Sequence, residues 1–176
     1  GNRGYGAHRL NLETGKFIPY KFDNIVNSQM ANDIFAIYKN ENGYWFATSS
    51  GLLHFNQEGS QHHNKVELLS KNTAHGMLED QQNNIWISTN QGLVKFNPKT
   101  HTGQTYDRKN GLEVTEFSDG AFYKDIPTET LFFGGTNGFV AIKPNDYNMA
   151  AYMPQISIKR LSIFGKEYNI HDFLYK

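Results

Sequence analysis

One eleven-residue pattern returns three times along this chain, and its spacing constrains the fold more than any other feature. It reads Trp45-Phe-Ala-Thr-Ser-Ser-Gly51-Leu-Leu-His-Phe55, then Trp86-Ile-Ser-Thr-Asn-Gln-Gly92-Leu-Val-Lys-Phe96, then Phe132-Phe-Gly-Gly-Thr-Asn-Gly138-Phe-Val-Ala-Ile142. A headless fourth copy opens the sequence as Gly6-Ala-His-Arg-Leu10. The anchoring glycines stand at 6, 51, 92 and 138, giving steps of 45, 41 and 46 residues. Self-similarity at a period of roughly 40–50 residues in a strand-forming sequence predicts a β-propeller, in which each repeat is one four-stranded blade.

The second copy shows how a unit is built. Ala74 to Asp80 is a half-apolar run ending in a carboxylate, and Asn83-Asn84 can take the positive φ of a tight hairpin turn. Ile85 to Thr89 is β-branched and aromatic, as a buried strand should be. Asn90-Gln91-Gly92 turns the chain, Leu93 to Phe96 forms the next strand, and Gln104 to Tyr106 a weaker outer one. The first copy follows the same plan through Ile34–Lys39, the turn Asn42-Gly43, Tyr44–Thr48 and Leu52–Phe55. The third runs through Ala121–Asp125, Leu131–Phe133 and Phe139–Ile142, with the loop Ile126–Thr130 in place of the tight turn. The recurring Trp45, Trp86 and Phe132 are read as wedges between neighbouring blades, since an indole buries ~150–250 Å². Gly51, Gly92 and Gly138 are read as the sharp turns that follow.

Composition removes several classes of function. The 17 basic and 17 acidic residues cancel without forming like-charge runs, so no nucleic-acid footprint is present. Cysteine is absent, which excludes disulfides, thiolate metal sites and a cysteine nucleophile. No apolar stretch approaches the ~20 residues that cross a bilayer. Because Gly1 enters in the middle of a repeat, the sequence reads as a fragment of a longer protein.

Laid side by side, these units resemble the two-component regulator propeller repeat: a turn of the D-x-x-G type, W-[IF]-x-T-x-x-G-[LI], then an aromatic and N/D-P. The second copy matches through Asp80, Trp86, Thr89, Gly92, Leu93, Phe96, Asn97 and Pro98. The first departs from it, with Lys39 where Asp80 stands and Asn56-Gln57 in place of Asn97-Pro98. The third trades tryptophan for Phe132, and Asn110 to Phe117 resembles the family's last repeat. After Pro144 the pattern stops. Residues 147–154 read as a linker, and Gln155 to Ile163 alternates like a first sandwich strand, with Phe164-Gly165-Lys166 turning it. This resembles the start of the immunoglobulin-like triple-tyrosine (Y_Y_Y) domain that follows such propellers.

The expected architecture is therefore all-β: about three and a half propeller blades leading into the first strands of an immunoglobulin-like β-sandwich. The expected boundaries are 1–146 for the propeller repeats, 147–154 for the linker and 155–176 for the sandwich. Within the propeller, a partial blade at 1–31 precedes blades at about 32–71, 72–115 and 116–146. The resemblance implies the periplasmic sensor region of an inner-membrane receptor, most often a hybrid histidine kinase, whose ligands are carbohydrate fragments. It leaves open a diguanylate cyclase as the output. A glycosidase or lyase propeller and a protein-binding scaffold are the rival readings.

No catalytic residue, metal or cofactor is expected. The histidines are scattered, and adjacent His62-His63 would point to opposite faces of an extended segment. Gly134 to Gly138 lies between strands and lacks the helix that a phosphate cradle requires. A glycosidase would need a carboxylate pair at a set separation; Glu79, Asp80, Glu116, Asp119 and Asp125 are the available acids, and Asp80 and Asp125 occupy turn positions. Ligand contacts are expected where the chain enters the innermost strands, at the channel mouth: Asn32, Asp33, Thr73, His75, Ser118 and Asp119. The expected partners are an oligosaccharide and further sensor domains, because an open propeller leaves a blade face and strand edges for self-association.

Overall fold

The computed structural model describes residues 1, 3–20, 32–56, 63–65, 69, 71–114, 116–147, 161–163 and 166–168. Two compact units, Gly1–Asp146 and Tyr147–Lys176, make up the chain. In the first, β1 (His8–Leu10) and β2 (Phe17–Pro19) pair as a half-blade. The first full blade is β3 (Ile34–Asn40), β4 (Gly43–Thr48), β5 (Gly51–Phe55) and β6 (His63–Lys65), hydrogen-bonded in that order. The second is β7 (Ala74–Glu79), β8 (Ile85–Thr89), β9 (Gly92–Asn97) and β10 (Thr102–Tyr106). The third is β11 (Phe117–Asp125), β12 (Thr130–Gly135) and β13 (Gly138–Ile142), and every pairing in these sheets is antiparallel. In the second unit, β14 (Leu161–Ile163) and β15 (Lys166–Tyr168) form an antiparallel pair. Residues 155–160, 164 and 165, on which the expected sandwich strand and its turn rest, lie outside the described residues, as does His62.

The middle strands of the first and second blades are buried on both faces, so they read as continuous apolar runs rather than alternating ones. Every residue of β8 is buried. Successive side chains of a strand point to opposite faces, and each face packs on a different blade. Trp45, Ala47 and Leu52 join Met77, Ile85, Ile87, Val94 and Phe96 in one cluster between the first and second blades. Trp86 and Leu93 join Val114, Phe117, Leu131 and Phe133 in the next seam. Phe46, Leu53 and Phe55 pack back onto Ala7 of the half-blade and onto Tyr20. The outermost strand β10 is exposed except at Tyr106, whose ring stacks on Trp86 at 5.5 Å.

Each tryptophan is also tethered by its own hairpin. Asp80 is buried at the end of β7, and its carboxylate accepts from the backbone N–H groups of Gln82 (2.9 Å) and Asn84 (2.8 Å) and from the Trp86 indole (2.9 Å). The Asn84 amide adds two bonds and Lys95 Nζ stands 3.9 Å away, so a buried charge is fully compensated. In the first blade the tether is Asn40, one residue beyond Lys39, the position aligned with Asp80 by sequence. Asn40 Oδ1 accepts from Asn42 N and from the Trp45 indole, both at 3.1 Å. The turn there is one residue shorter, which moves the acceptor.

Gly92 is fixed by geometry. It adopts φ +124°, and a Cβ added there would stand 2.2 Å from the Tyr106 carbonyl oxygen. Gly51 repeats this at φ +102° against the Leu69 carbonyl, also at 2.2 Å. The threonines three residues upstream, Thr48 and Thr89, each donate to the following glycine's carbonyl at 2.9 Å.

Candidate functional site

The innermost strands share an irregularity that the repeat alone does not announce. In β3 the register jumps between Ile34 and Ala36, leaving Phe35 as the extra residue. In β7 it jumps between Ala74 and Gly76, leaving His75. In β11 it breaks between Phe117 and Phe122, so residues 118–121 form a larger bulge, with Gly120 at φ +73°. A bulge leaves a residue out of the ladder and re-aims its side chain. Three bulges at corresponding places on three adjacent blades therefore direct side chains to one locality.

His75 Nδ1 lies 2.7 Å from Asp119 Oδ1, a contact between the second and third blades. The carboxylate oxygen is the acceptor, so Nδ1 carries the proton and Nε2 is the remaining hydrogen-bonding nitrogen of the ring. The other oxygen, Asp119 Oδ2, takes an ion pair from Arg3. Phe35 of the first blade stacks on the His75 ring with centroids 5.9 Å apart. The Arg3 guanidinium lies 5.4 Å from the Phe35 ring centroid, within cation–π range. Four segments thus supply one mixed aromatic and charged cluster. The His75 side chain is 18% exposed, Asp119 31% and Arg3 72%, so the cluster grades from packed to solvent-facing.

Of the residues expected at the channel mouth, the structure brings His75 and Asp119 into contact and sets half-buried Ser118 beside Asp119 in the same bulge. Asp33 and Thr73 serve a different purpose. Asp33 accepts from the Ser49 hydroxyl at 3.1 Å, and the Thr73 N–H donates to Asn90 Oδ1 at 3.1 Å. The third blade repeats the link through Thr136 and Glu116 at 3.3 Å. These pairs tie the loop after each second strand to the entry of the first strand. Asn32 offers its carbonyl to Gly6 N–H at 2.9 Å, which anchors the half-blade.

Sequence reasoning missed Phe35 and Arg3. Phe35 carried a readable signal, since Ile34-Phe35-Ala36 aligns with Ala74-His75-Gly76. Arg3 carried none, because its partner is 116 residues away in the chain. Among the described residues, no group of three or more His, Cys, Asp or Glu is placed to hold a metal ion.

The comparisons with known proteins concern this same scaffold. The family model described as two component regulator propeller matches residues 68–91, which contain β7 and β8. A curated relative, histidine kinase P4 of Formosa agariphila, is 33% identical over 94 residues, covering 53% of this chain and 7% of the relative. The extracellular domain of BT3049 from B. thetaiotaomicron, assigned to a hybrid two component system, superposes with a TM-score of 0.67 at 25% identity, over 89% of this chain and 22% of that domain. The extracellular domain of BT4673 from the same organism, given the same assignment, superposes with a TM-score of 0.61 at 20% identity, over 95% of this chain and 21% of that domain. This chain therefore spans only about a fifth of the solved domains it matches. Residues 68–91 match the two-component regulator propeller repeat, and the chain shares its blade architecture with these extracellular domains.

Proposed function

We propose that this chain is part of the periplasmic sensor region of a membrane-anchored histidine kinase, of hybrid type, and that it binds an oligosaccharide at the cluster of Phe35, His75, Asp119 and Arg3. The observation that carries the binding role is the triple bulge. Three strands give up ladder pairing at one place and gather an aromatic face beside charged donors and acceptors. A sugar presents an apolar C–H face and hydroxyls that both donate and accept, and this combination matches it. Binding biases the orientation of paired sensor domains, and it can do so only by its differential affinity for the two arrangements.

Recognition fits the cluster better than hydrolysis. A glycosidase holds two carboxyl groups across the scissile bond, whereas both oxygens of Asp119 are engaged, one by His75 and one by Arg3. The similarity to extracellular domains and to a histidine kinase supports the compartment and the signalling role. Among the described residues no helix is long and apolar enough to cross a membrane.

The test is a thermal-shift screen of the chain and its His75→Ala variant against neutral, uronate-containing and sulfated oligosaccharides. Saturating stabilisation is expected with one class, about 2.7 kcal/mol at a ligand concentration 100 times Kd. The variant should lose it at every saccharide concentration, each sample being compared with the same protein free of saccharide. Stabilisation that survives His75→Ala moves the site elsewhere, and silence across the panel overturns the saccharide reading.

A further inference from the structure

In the cluster at the bulges, the hydrogen-bonding capacity left over is almost all donor. Asp119 is the acid of the cluster, and its two carboxylate oxygens are taken by His75 Nδ1 and by Arg3. Arg3 spends one nitrogen, Nη2, on that pair, while a guanidinium carries further N–H donors in a fixed planar fork. Those further donors have no partner among the described residues, and the side chain faces solvent over most of its surface. The fork is also held in place. Asp119 fixes one of its nitrogens, and the Phe35 ring centroid lies 5.4 Å from its central carbon. An arginine paired and stacked in this way loses little further freedom when a second oxyanion joins it.

The loop that carries Arg3 departs from its counterparts. Ser49, Asn90 and Thr136 stand in the loops before Gly51, Gly92 and Gly138, and each bonds to the first-strand entry of its own blade. Their partners are Asp33 at 3.1 Å, Thr73 at 3.1 Å and Glu116 at 3.3 Å. Arg3, in the loop before Gly6, reaches the third blade instead. An ion pair this exposed adds little to stability. The blade repeat therefore does not require a guanidinium at this point.

We propose that the saccharide bound here is acidic, carrying a carboxylate or a sulfate ester, and that Arg3 is the residue that selects it. The inference rests on the saccharide reading above and narrows it. A carboxylate or a sulfate presents acceptor oxygens only, matched in geometry and charge to the unspent N–H groups of the fork, and charge-assisted two-point bonds of this kind are the strong ones. A neutral sugar meets the same donors with hydroxyls, which carry no charge. His75 Nε2 remains for a hydroxyl of the same acidic sugar.

Two matched probe pairs test this by thermal-shift titration of the chain. One is a galacturonic acid trisaccharide with its carboxyl-reduced counterpart, and the other a sulfated carrageenan tetrasaccharide with its desulfated counterpart. The expected result is an apparent Kd about tenfold or more lower for the acidic member of one pair than for its neutral counterpart. Which pair shows the preference tells a carboxylate from a sulfate. Arg3→Gln should erase the preference, and Arg3→Lys should retain part of it, because lysine keeps the charge and loses the fork. Each variant is compared with its own saccharide-free melting temperature. A neutral member that binds as tightly as its acidic counterpart overturns the inference and leaves the saccharide reading standing. An acidic preference that survives Arg3→Gln does the same. Silence with all four probes also overturns it, and a neutral oligosaccharide of the wider panel that does bind then keeps the saccharide reading.

Discussion

The second and third blades carry the same motif in opposite surroundings. Trp86 and Leu93 are sealed between blades, whereas Phe132 is half-buried and Phe139 stands mostly in solvent. Their second and third strands pair alike, so at these positions the difference lies in what each sheet faces. A blade's stability is thus largely a property of its seams. This follows the nearest-neighbour behaviour of repeat proteins, in which each unit contributes mainly through its interface with the next. An aromatic at the wedge position is worth several kilocalories per mole only when a neighbour covers it.

The largest test of this comparison is truncation at the two wedges. Trp86→Ala is expected to cost about 3–5 kcal/mol in urea unfolding, as for other buried aromatics. Phe132→Ala should cost under about 1 kcal/mol, as at surface sites. The turn glycines sharpen the point. Gly92→Ala and Gly138→Ala both force a positive φ on alanine, a strain of about 1–3 kcal/mol. At Gly92 the new Cβ also meets the Tyr106 carbonyl at 2.2 Å, while at Gly138 the nearest atom, on Val114, is 3.8 Å away. Gly92→Ala should therefore be distinctly the more destabilising in the same assay.

A smaller effect is expected at the tether. Asp80→Ala leaves the Trp86 indole N–H and the turn amides without their acceptor, a loss of about 1–3 kcal/mol. Asp80→Asn should recover part of it, because Asn40 already holds Trp45 with an amide oxygen. The smallest effect is a pH dependence at the first seam. His54 stacks on Trp45 with centroids 4.1 Å apart, and burial holds its imidazole below the ordinary value of 6.5, against the opposing bond to the Asn42 carbonyl. Below pH 6.5 the unfolded chain takes up this proton more readily than the folded one, so the stability contributed above that pH is lost as the pH falls. The melting temperature should drop on acidification, and His54→Gln should lessen the drop.

Much of the blade plan was legible because it rests on local rules. Asn83 takes φ +61° in the expected turn, and the Trp-to-Gly spacing marks the two central strands. The alignment of Lys39 with Asp80, read as a departure from the pattern, shows where such reading stops. A turn shortened by one residue shifts the acceptor to Asn40, and only the hydrogen bond to the indole reveals it. The candidate site was half legible. His75 and Asp119 stood at strand entries, but a bulge is a matter of register between strands, which one sequence does not display. Phe35 was read only as part of a strand, and Arg3 meets its partner, 116 residues away in the sequence, only in the folded chain.

The most direct test of the central claim, that the bulged inner strands form a ligand site, is the imidazole ¹H–¹⁵N spectrum of the chain as each oligosaccharide is added. The seven histidines give a small set of ring signals. The account predicts that one saccharide class shifts the His75 resonances in a saturable way and leaves those of His101, on the exposed turn between β9 and β10, in place. Saturable stabilisation by a saccharide with the His75 ring unmoved would contradict it.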